Sequence, residues 1–238
     1  MVDRWRVGRR VVAGIVILVG VLAVVAMLAA PGVGTGSATP TLTVEERARL
    51  EGGGRATLAV RALTCDGWIR GSAFVTDGWI VTALHVVDGS VGVEILAEGG
   101  APAAGVASRH AAGLDAAAVI PNFPMGPELV LADADPPVGA PVVAFGRVDG
   151  AARRSEGTVQ LYGDGRAYGV DGTVMLIDPG APFGFSGGPV LDRRGRVVAM
   201  TRAIDTATGL GVAIPASELE AWLSSPLNED QYTSCIEE

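Results

Sequence analysis

Lysine is absent from this chain: all 18 basic side chains are arginine. Beside abundant alanine, glycine and valine, that bias reflects a GC-rich genome and says nothing of function. Positive charge is scarce too. The formal charge is -8 and the sequence pI about 4.8, and no arginine cluster of useful size lies beyond the first ten residues, which excludes a nucleic-acid binder. Histidine occurs only as His85 and His110, and cysteine only as Cys65 and Cys235. Strands alternating with long amphipathic helices are missing, which excludes a parallel sheet. What is present, 49% hydrophobic and 18% charged residues in 238, suits one sizeable globular domain with appendages.

One long hydrophobic run stands out. Arg4, Arg6, Arg9 and Arg10 in residues 1–10 precede residues 11–30 (VVAGIVILVGVLAVVAMLAA), twenty uncharged positions that can span a bilayer. With the arginines before the run and no comparable cluster after it, the N-terminus is expected in the cytoplasm and the rest outside. A cleaved signal peptide is the competing reading. Its apolar core would be shorter and end in a small-residue site, which Leu28-Ala29-Ala30-Pro31 matches poorly, so a retained transmembrane anchor is expected. Residues 31–54, rich in Gly, Pro, Ser and Thr with a charged stretch of one or two helical turns, read as a linker to a domain at 55–238. Both cysteines fall on the exported side, where a disulfide persists. A Cys65–Cys235 bridge would close a very long loop and stabilise by up to about 5 kcal/mol on the chain-entropy model; two separate buried thiols are the alternative.

From residue 55 onward, short β-branched runs alternate with Gly, Asp and Pro: residues 72–75, a Thr76-Asp77-Gly78 turn, 79–82, 91–96, 142–145, 173–177 and 197–200. Such spacing predicts an all-β sandwich or barrel. The clearest helix is at 217–224, where Ser217 and Glu220 fit a capping box and Leu219, Trp222 and Leu223 form an apolar face. The proline-rich residues 122–138 join two halves of comparable size.

The stretch 184–189 (GFSGGP) surrounds Ser186 with glycines that let the backbone turn sharply and leave N–H groups open. That suits a nucleophile beside an oxyanion site, and it also suits a plain Gly-Pro turn. The base for Ser186 is found by elimination. His85 ends the apolar run 80–87 just before Asp88-Gly89, where it faces a cleft or sits satisfied in the core; His110, in a looser setting, reads as a surface residue. Asp115 heads an apolar run, so its carboxylate is carried inward, where it needs a partner such as His85 or caps a turn. Asp133 and Asp135 read as solvated. The order His85, Asp115, Ser186 excludes the α/β-hydrolase elbow, in which histidine follows serine, and is the order of the chymotrypsin-type triad.

Residues 82–87 (TALHVV), 114–117 (LDAA) and 184–189 together resemble the three signature segments of trypsin-like (chymotrypsin-fold) serine proteases. Residues 209–215 (GLGVAIP) are similar to the strand before the closing helix in HtrA-type and membrane-anchored actinobacterial members. The resemblance spans about residues 57–225. It implies two six-stranded antiparallel β-barrels, the first about 55–121 and the second about 139–215, with the closing helix after them and the site between them. Ser186 would attack a peptide carbonyl, His85 would shuttle its proton, Asp115 would orient His85, and the N–H groups of Gly184 and Ser186 would hold the oxyanion. Neither a cofactor nor a metal is implied; the partners are protein or peptide substrates and, through the anchor, the membrane.

Three departures from the family pattern matter. Phe185 replaces the Asp or Asn common before the nucleophile, so pairing of a new N-terminus with that acid is unavailable. Leu84 replaces a small residue before the histidine. No PDZ-like module is expected after the helix. At the base of the primary pocket the resemblance places Gly180 instead of an acid, so a neutral pocket shaped by Gly180, Ala181, Met200 and Thr201 implies small or aliphatic side chains. Two functions follow: a membrane-tethered serine endopeptidase acting outside the cytoplasmic membrane, or a catalytically silent protease fold serving as an envelope scaffold.

Overall fold

The computed structural model describes residues 42–97, 100, 102–121 and 126–225. The expected anchor and Cys235 lie outside them. Among the described residues no helix is long and apolar enough to cross a membrane.

Among the described residues, twelve strands close into two antiparallel barrels. The first contains β1 (Thr57–Thr64), β2 (Gly67–Thr76), β3 (Trp79–Ala83), β4 (Ser90–Leu96), β5 (Ala103–Ala111) and β6 (Ala116–Pro121). Their order is β1-β2-β3-β6-β5-β4, and β4 pairs back onto β1. The second contains β7 (Pro141–Val148), β8 (Ala151–Asp164), β9 (Thr173–Asp178), β10 (Pro189–Leu191), β11 (Val197–Ile204) and β12 (Gly211–Pro215). Its order is β10-β11-β12-β9-β8-β7, closed by β10 on β7. Closure leaves no free edge. Each barrel has a hairpin set by an Asp-Gly pair with positive φ at both residues, Asp77-Gly78 between β2 and β3 and Asp149-Gly150 between β7 and β8. Two-residue turns of this kind match the strand twist. Leu58, Val60, Phe74, Ile80 and Ile95 fill the first barrel, and Val159, Met175, Phe185 and Val198 lie in the second core.

The linker expectation needs correction. Residues 44–54 belong to a helix, α1 (Val44–Ala56), held at its start by a capping box between Thr43 and Glu46. The Thr43 N–H donates to Glu46 Oε2 at 2.7 Å and holds that carboxyl below its usual range. The buried Leu50, Gly53 and Gly54 bring α1 against Phe145 and Leu191 of the second barrel. Its low mean hydropathy hid a contact made largely by backbone.

The closing helix α3 (Ala216–Ser224) is present, but the expected capping box is not formed: its N-cap is Pro215, with no side-chain cap. Ser217 instead donates from Oγ to Asp135 Oδ2 at 2.6 Å, so a carboxylate from the segment between the barrels supplies the charge favoured at a helix start. Arg109 of β5 secures the other end. Its guanidinium donates to the carbonyls of Trp222 and Leu223 at 2.7 Å and of Ser225 at 3.0 Å, and sits 5.8 Å and 5.5 Å from the Trp79 and Trp222 ring centres. His110 lies half-buried on β5, not in a surface loop.

Candidate active site

Three chain segments reach one cavity of about 350 Å³, lined by His85, Ser186 and the loop and strand residues around them. His85 stands in the short helix α2 (Leu84–Val87), which β3 enters directly. The side chain of Leu84, beside His85, packs partly buried against the hydrophobic core. Asp115 closes the turn between β5 and β6 at φ 56, the left-handed region that Asp tolerates better than most residues. That turn aims its backbone and side chain at α2. The Leu84 N–H donates to the Asp115 carbonyl at 3.0 Å, the His85 N–H to Oδ1 at 2.9 Å, and His85 Nδ1 lies 2.8 Å from Oδ2. Asp115 is only 6% exposed, so its charge acts in a medium poorer than water, while the imidazole remains open to the cleft.

Ser186 sits on the loop before β10, and the local N–H groups sort themselves by use. Phe185 donates to Pro182, Gly187 to Thr201 and Gly188 to Phe185. The amides of Gly184 and Ser186 donate to no protein acceptor among the described residues. Two neighbouring donors are therefore left for a ligand, flanking the side chain of Phe185, which is buried against Gly146 of β7. Glycine at 187 is required twice over: φ is +82, and a Cβ there would lie 2.2 Å from the Ser72 carbonyl oxygen. The Ser186 hydroxyl donates to the Arg202 carbonyl at 3.0 Å, so its proton is directed to β11 instead of His85.

Arg202 is the site residue that sequence reasoning missed. It occupies the irregularity where β11 slips against β12 between Thr201 and Ala203, a bulge that takes it out of the regular ladder. Its Nε lies 2.8 Å from Asp115 Oδ2, the oxygen that also faces His85. The N–H is not aimed along that line, so the contact is ionic more than hydrogen-bonded. No sequence signal marks it, because a bulge belongs to the pairing of two strands.

Of the expected pocket residues, Ala181 and Thr201 line the cavity. Gly180 does not: it packs against Gly209, Gly211 and Ile204. Met200 does not either, because strand alternation turns its side chain into the core, fully buried. Pro182, Phe183, Arg202, Ala203, Ile204 and Thr206 complete the wall, with Phe183 84% exposed at the rim. Among the described residues no three His, Cys, Asp or Glu side chains gather to hold a metal.

No curated protein sequence matches the chain. The structure is similar to the Rv3671c protease from M. tuberculosis in its active form, at 24% identity and a TM-score of 0.68, over 79% of this chain and 89% of that one. It is also similar to the HtrA-type protease AlgW with tripeptide (20%, 0.67, 75% of this chain and 62% of that one) and to the serine endoprotease from Yersinia pestis (18%, 0.64, 76% and 66%). These likenesses speak for the fold. The model of the trypsin-like peptidase domain matches residues 65–200, more than half of the chain, and on that match the chain belongs to the trypsin-like peptidase family.

Proposed function

We propose that this peptidase is a membrane-anchored serine endopeptidase working outside the cytoplasm through Ser186, His85 and Asp115. The observation that carries the reading is the double grip of Asp115 on His85, through Oδ1 to the backbone N–H and Oδ2 to Nδ1, beside a serine in the same cavity. With Nδ1 committed as donor, Nε2 is the nitrogen left to act as base. The step requires the Ser186 side chain to rotate from the Arg202 carbonyl towards that nitrogen. Oγ then bonds to the peptide carbonyl carbon as its proton passes to His85. The oxyanion that forms is held by the Gly184 and Ser186 N–H groups. Collapse breaks the C–N bond, the amine leaves with the proton from His85, and water repeats the cycle on the acyl-enzyme. Asp115 orients the ring and stabilises the imidazolium.

Ala181, Thr201, Ala203 and Ile204 give the cavity wall small and aliphatic stretches, with the Arg202 charge in the lining paired to Asp115, which supports small or aliphatic side chains beside the cut bond. An arginine-dominated cleavage profile from a peptide library would sink that. The hydrophobic run at 11–30 supports the anchor, and export supports a Cys65–Cys235 bridge. Recovery of the protein in the membrane fraction, with the domain open to added protease on intact spheroplasts, tests the first; a mass shift on reduction and alkylation tests the second.

The direction of the Ser186 proton towards Arg202 favours a second reading, a silent envelope scaffold. A fluorophosphonate probe separates the two. The endopeptidase reading requires labelling of the parent and none of Ser186→Ala or His85→Ala; a folded parent that stays unlabelled supports the scaffold.

A further inference from the structure

One hydroxyl outside the triad joins both barrels to the nucleophile loop. Ser72, on β2 of the first barrel, is fully buried. Its Oγ donates to the Gly184 carbonyl at 2.7 Å and accepts the Arg147 N–H of β7 at 2.8 Å. Its own N–H donates to the Ser186 carbonyl at 2.7 Å, and its carbonyl accepts from Thr82 Oγ1 at 2.8 Å. Each polar atom of Ser72 is thus used, and two of the bonds end on the residues that flank Phe185. Buried hydroxyls are satisfied as a rule. What singles this one out is where its bonds go, to partners 112 and 75 residues away in sequence on the other barrel.

The consequence is geometric. Gly184 has φ 91, and glycine leaves the peptides on either side of it free to rotate. The only hydrogen bond to the Gly184 carbonyl among the described residues comes from Ser72. Holding that carbonyl, with the Phe185 N–H donated to Pro182 at 3.3 Å, pins the 184–185 peptide that lies between the two unused N–H groups and so restrains the torsions at Gly184 and Phe185 that set their directions. The Phe185 carbonyl accepts from Gly188 at 2.7 Å and so holds the peptide of the Ser186 N–H; on the Gly184 side the bond from Ser72 is the short one, beside the longer Phe185-to-Pro182 contact. We propose that Ser72 is a positioning residue that keeps the Gly184 and Ser186 N–H groups preformed for a developing oxyanion. This rests on Ser186 as nucleophile. A preformed donor pair matters most when negative charge appears, so its loss falls on the chemical step and not on ligand capture.

The test is the labelling kinetics of the full chain in detergent with an alkyl fluorophosphonate at several concentrations. In that reaction Ser186 Oγ bonds to phosphorus, the P–F bond breaks with fluoride leaving, and the hydroxyl proton passes to His85. Ser72→Ala is expected to lower the limiting rate by about 10- to 100-fold, with the half-saturating concentration within about twofold and a single heat-unfolding transition. Ser72→Thr, which keeps the hydroxyl, restores most of the rate. If Ser72→Ala does not fold, Ser72→Cys carries the test: its weaker S–H donor should give a smaller but clear loss of limiting rate. An unchanged limiting rate in folded Ser72→Ala or Ser72→Cys, or a loss confined to half-saturation, overturns the proposal. A parent that takes no label overturns the nucleophile reading itself and this inference with it, whereas a labelled parent with indifferent variants overturns only the role of Ser72.

Discussion

The two barrels hold their functional side chains differently. In the first, Asp115 is tied to Leu84 and His85 by three contacts made within that barrel, where the end of β3 meets the β5–β6 turn. In the second, the nucleophile loop is set by groups outside itself: Ser72 from the other barrel, Thr201 and Arg202 from β11, and Gly146 of β7 under Phe185. The proposed base and its carboxylate are paired within one barrel, with Arg202 of the second standing against Asp115 Oδ2. The nucleophile's geometry belongs to the assembled interface. A change in the first barrel's pair should therefore damage chemistry and spare the loop, while a change at the interface should damage both barrels' cooperation.

The largest effect expected is Asp115→Asn, which keeps the shape of the first barrel's pair and removes its charge. The loss in labelling rate is expected near 10³- to 10⁴-fold, with Ser72-dependent loop order intact; a rate within tenfold of the parent would show that Asp115 only caps its turn. Gly187→Ala strikes the interface instead. A Cβ there collides with the Ser72 carbonyl and demands a positive φ of a non-glycine residue, so about 3 kcal/mol or more of stability should go, which for a domain of this size lowers Tm by about 6–12 °C. The contrast sharpens if the downfield proton resonance of His85 Nδ1 survives in Gly187→Ala and vanishes in Asp115→Asn.

Smaller changes probe the first barrel's grip on the chain's return. Arg109→Met leaves the last carbonyls of α3 without their donor, at a cost of about 1–3 kcal/mol, seen as a lower urea midpoint with labelling per folded molecule unchanged. A large loss of labelling would mean that α3 docking also sets the site. The smallest effect is electrostatic and lies in the second barrel's rim. Asp205 accepts from the Thr208 hydroxyl, which holds its carboxyl below the usual carboxylate range. A depressed acid stabilises above its unfolded value and loses that contribution as pH falls through its folded one. The Tm gap between parent and Thr208→Val should thus be present at neutral pH and shrink below about pH 4; a gap constant down to about pH 2 would assign it to packing.

Legibility in the sequence followed the range of the forces involved. Strands with β-branched alternation and turn residues, such as Trp79–Ala83 and Thr173–Asp178, were readable from their own composition. β8 was not: AARRSEGTVQLYGD carries no clean alternation, because much of it is solvent-exposed and its place is set by pairing with β7 and β9. The helix α1 was read as linker because its apolar face is mostly glycine and alanine. Ser217 was read as half of a capping box, yet its partner is Asp135, 82 residues away. In the pocket, a position counted along the chain put Gly180 and Met200 at the wall, and strand alternation together with close backbone packing removed them.

By itself the sequence determined that the domain is all-β, and it was enough to propose His85, Asp115 and Ser186 as the reactive residues and to mark the glycines around the serine. Those are properties of single residues and short runs: hydrophobic period, turn chemistry, the scarcity of histidine. Only the tertiary structure decided that Arg202 stands against Asp115, that the Ser186 proton rests on a β11 carbonyl, and that Ser72 braces the loop from the opposite barrel. Each of these depends on a bulge, a register or a backbone approach between segments far apart in the chain. Nothing in a local stretch of residues carries that information, because the free energy that selects it is released only when the two barrels close on each other.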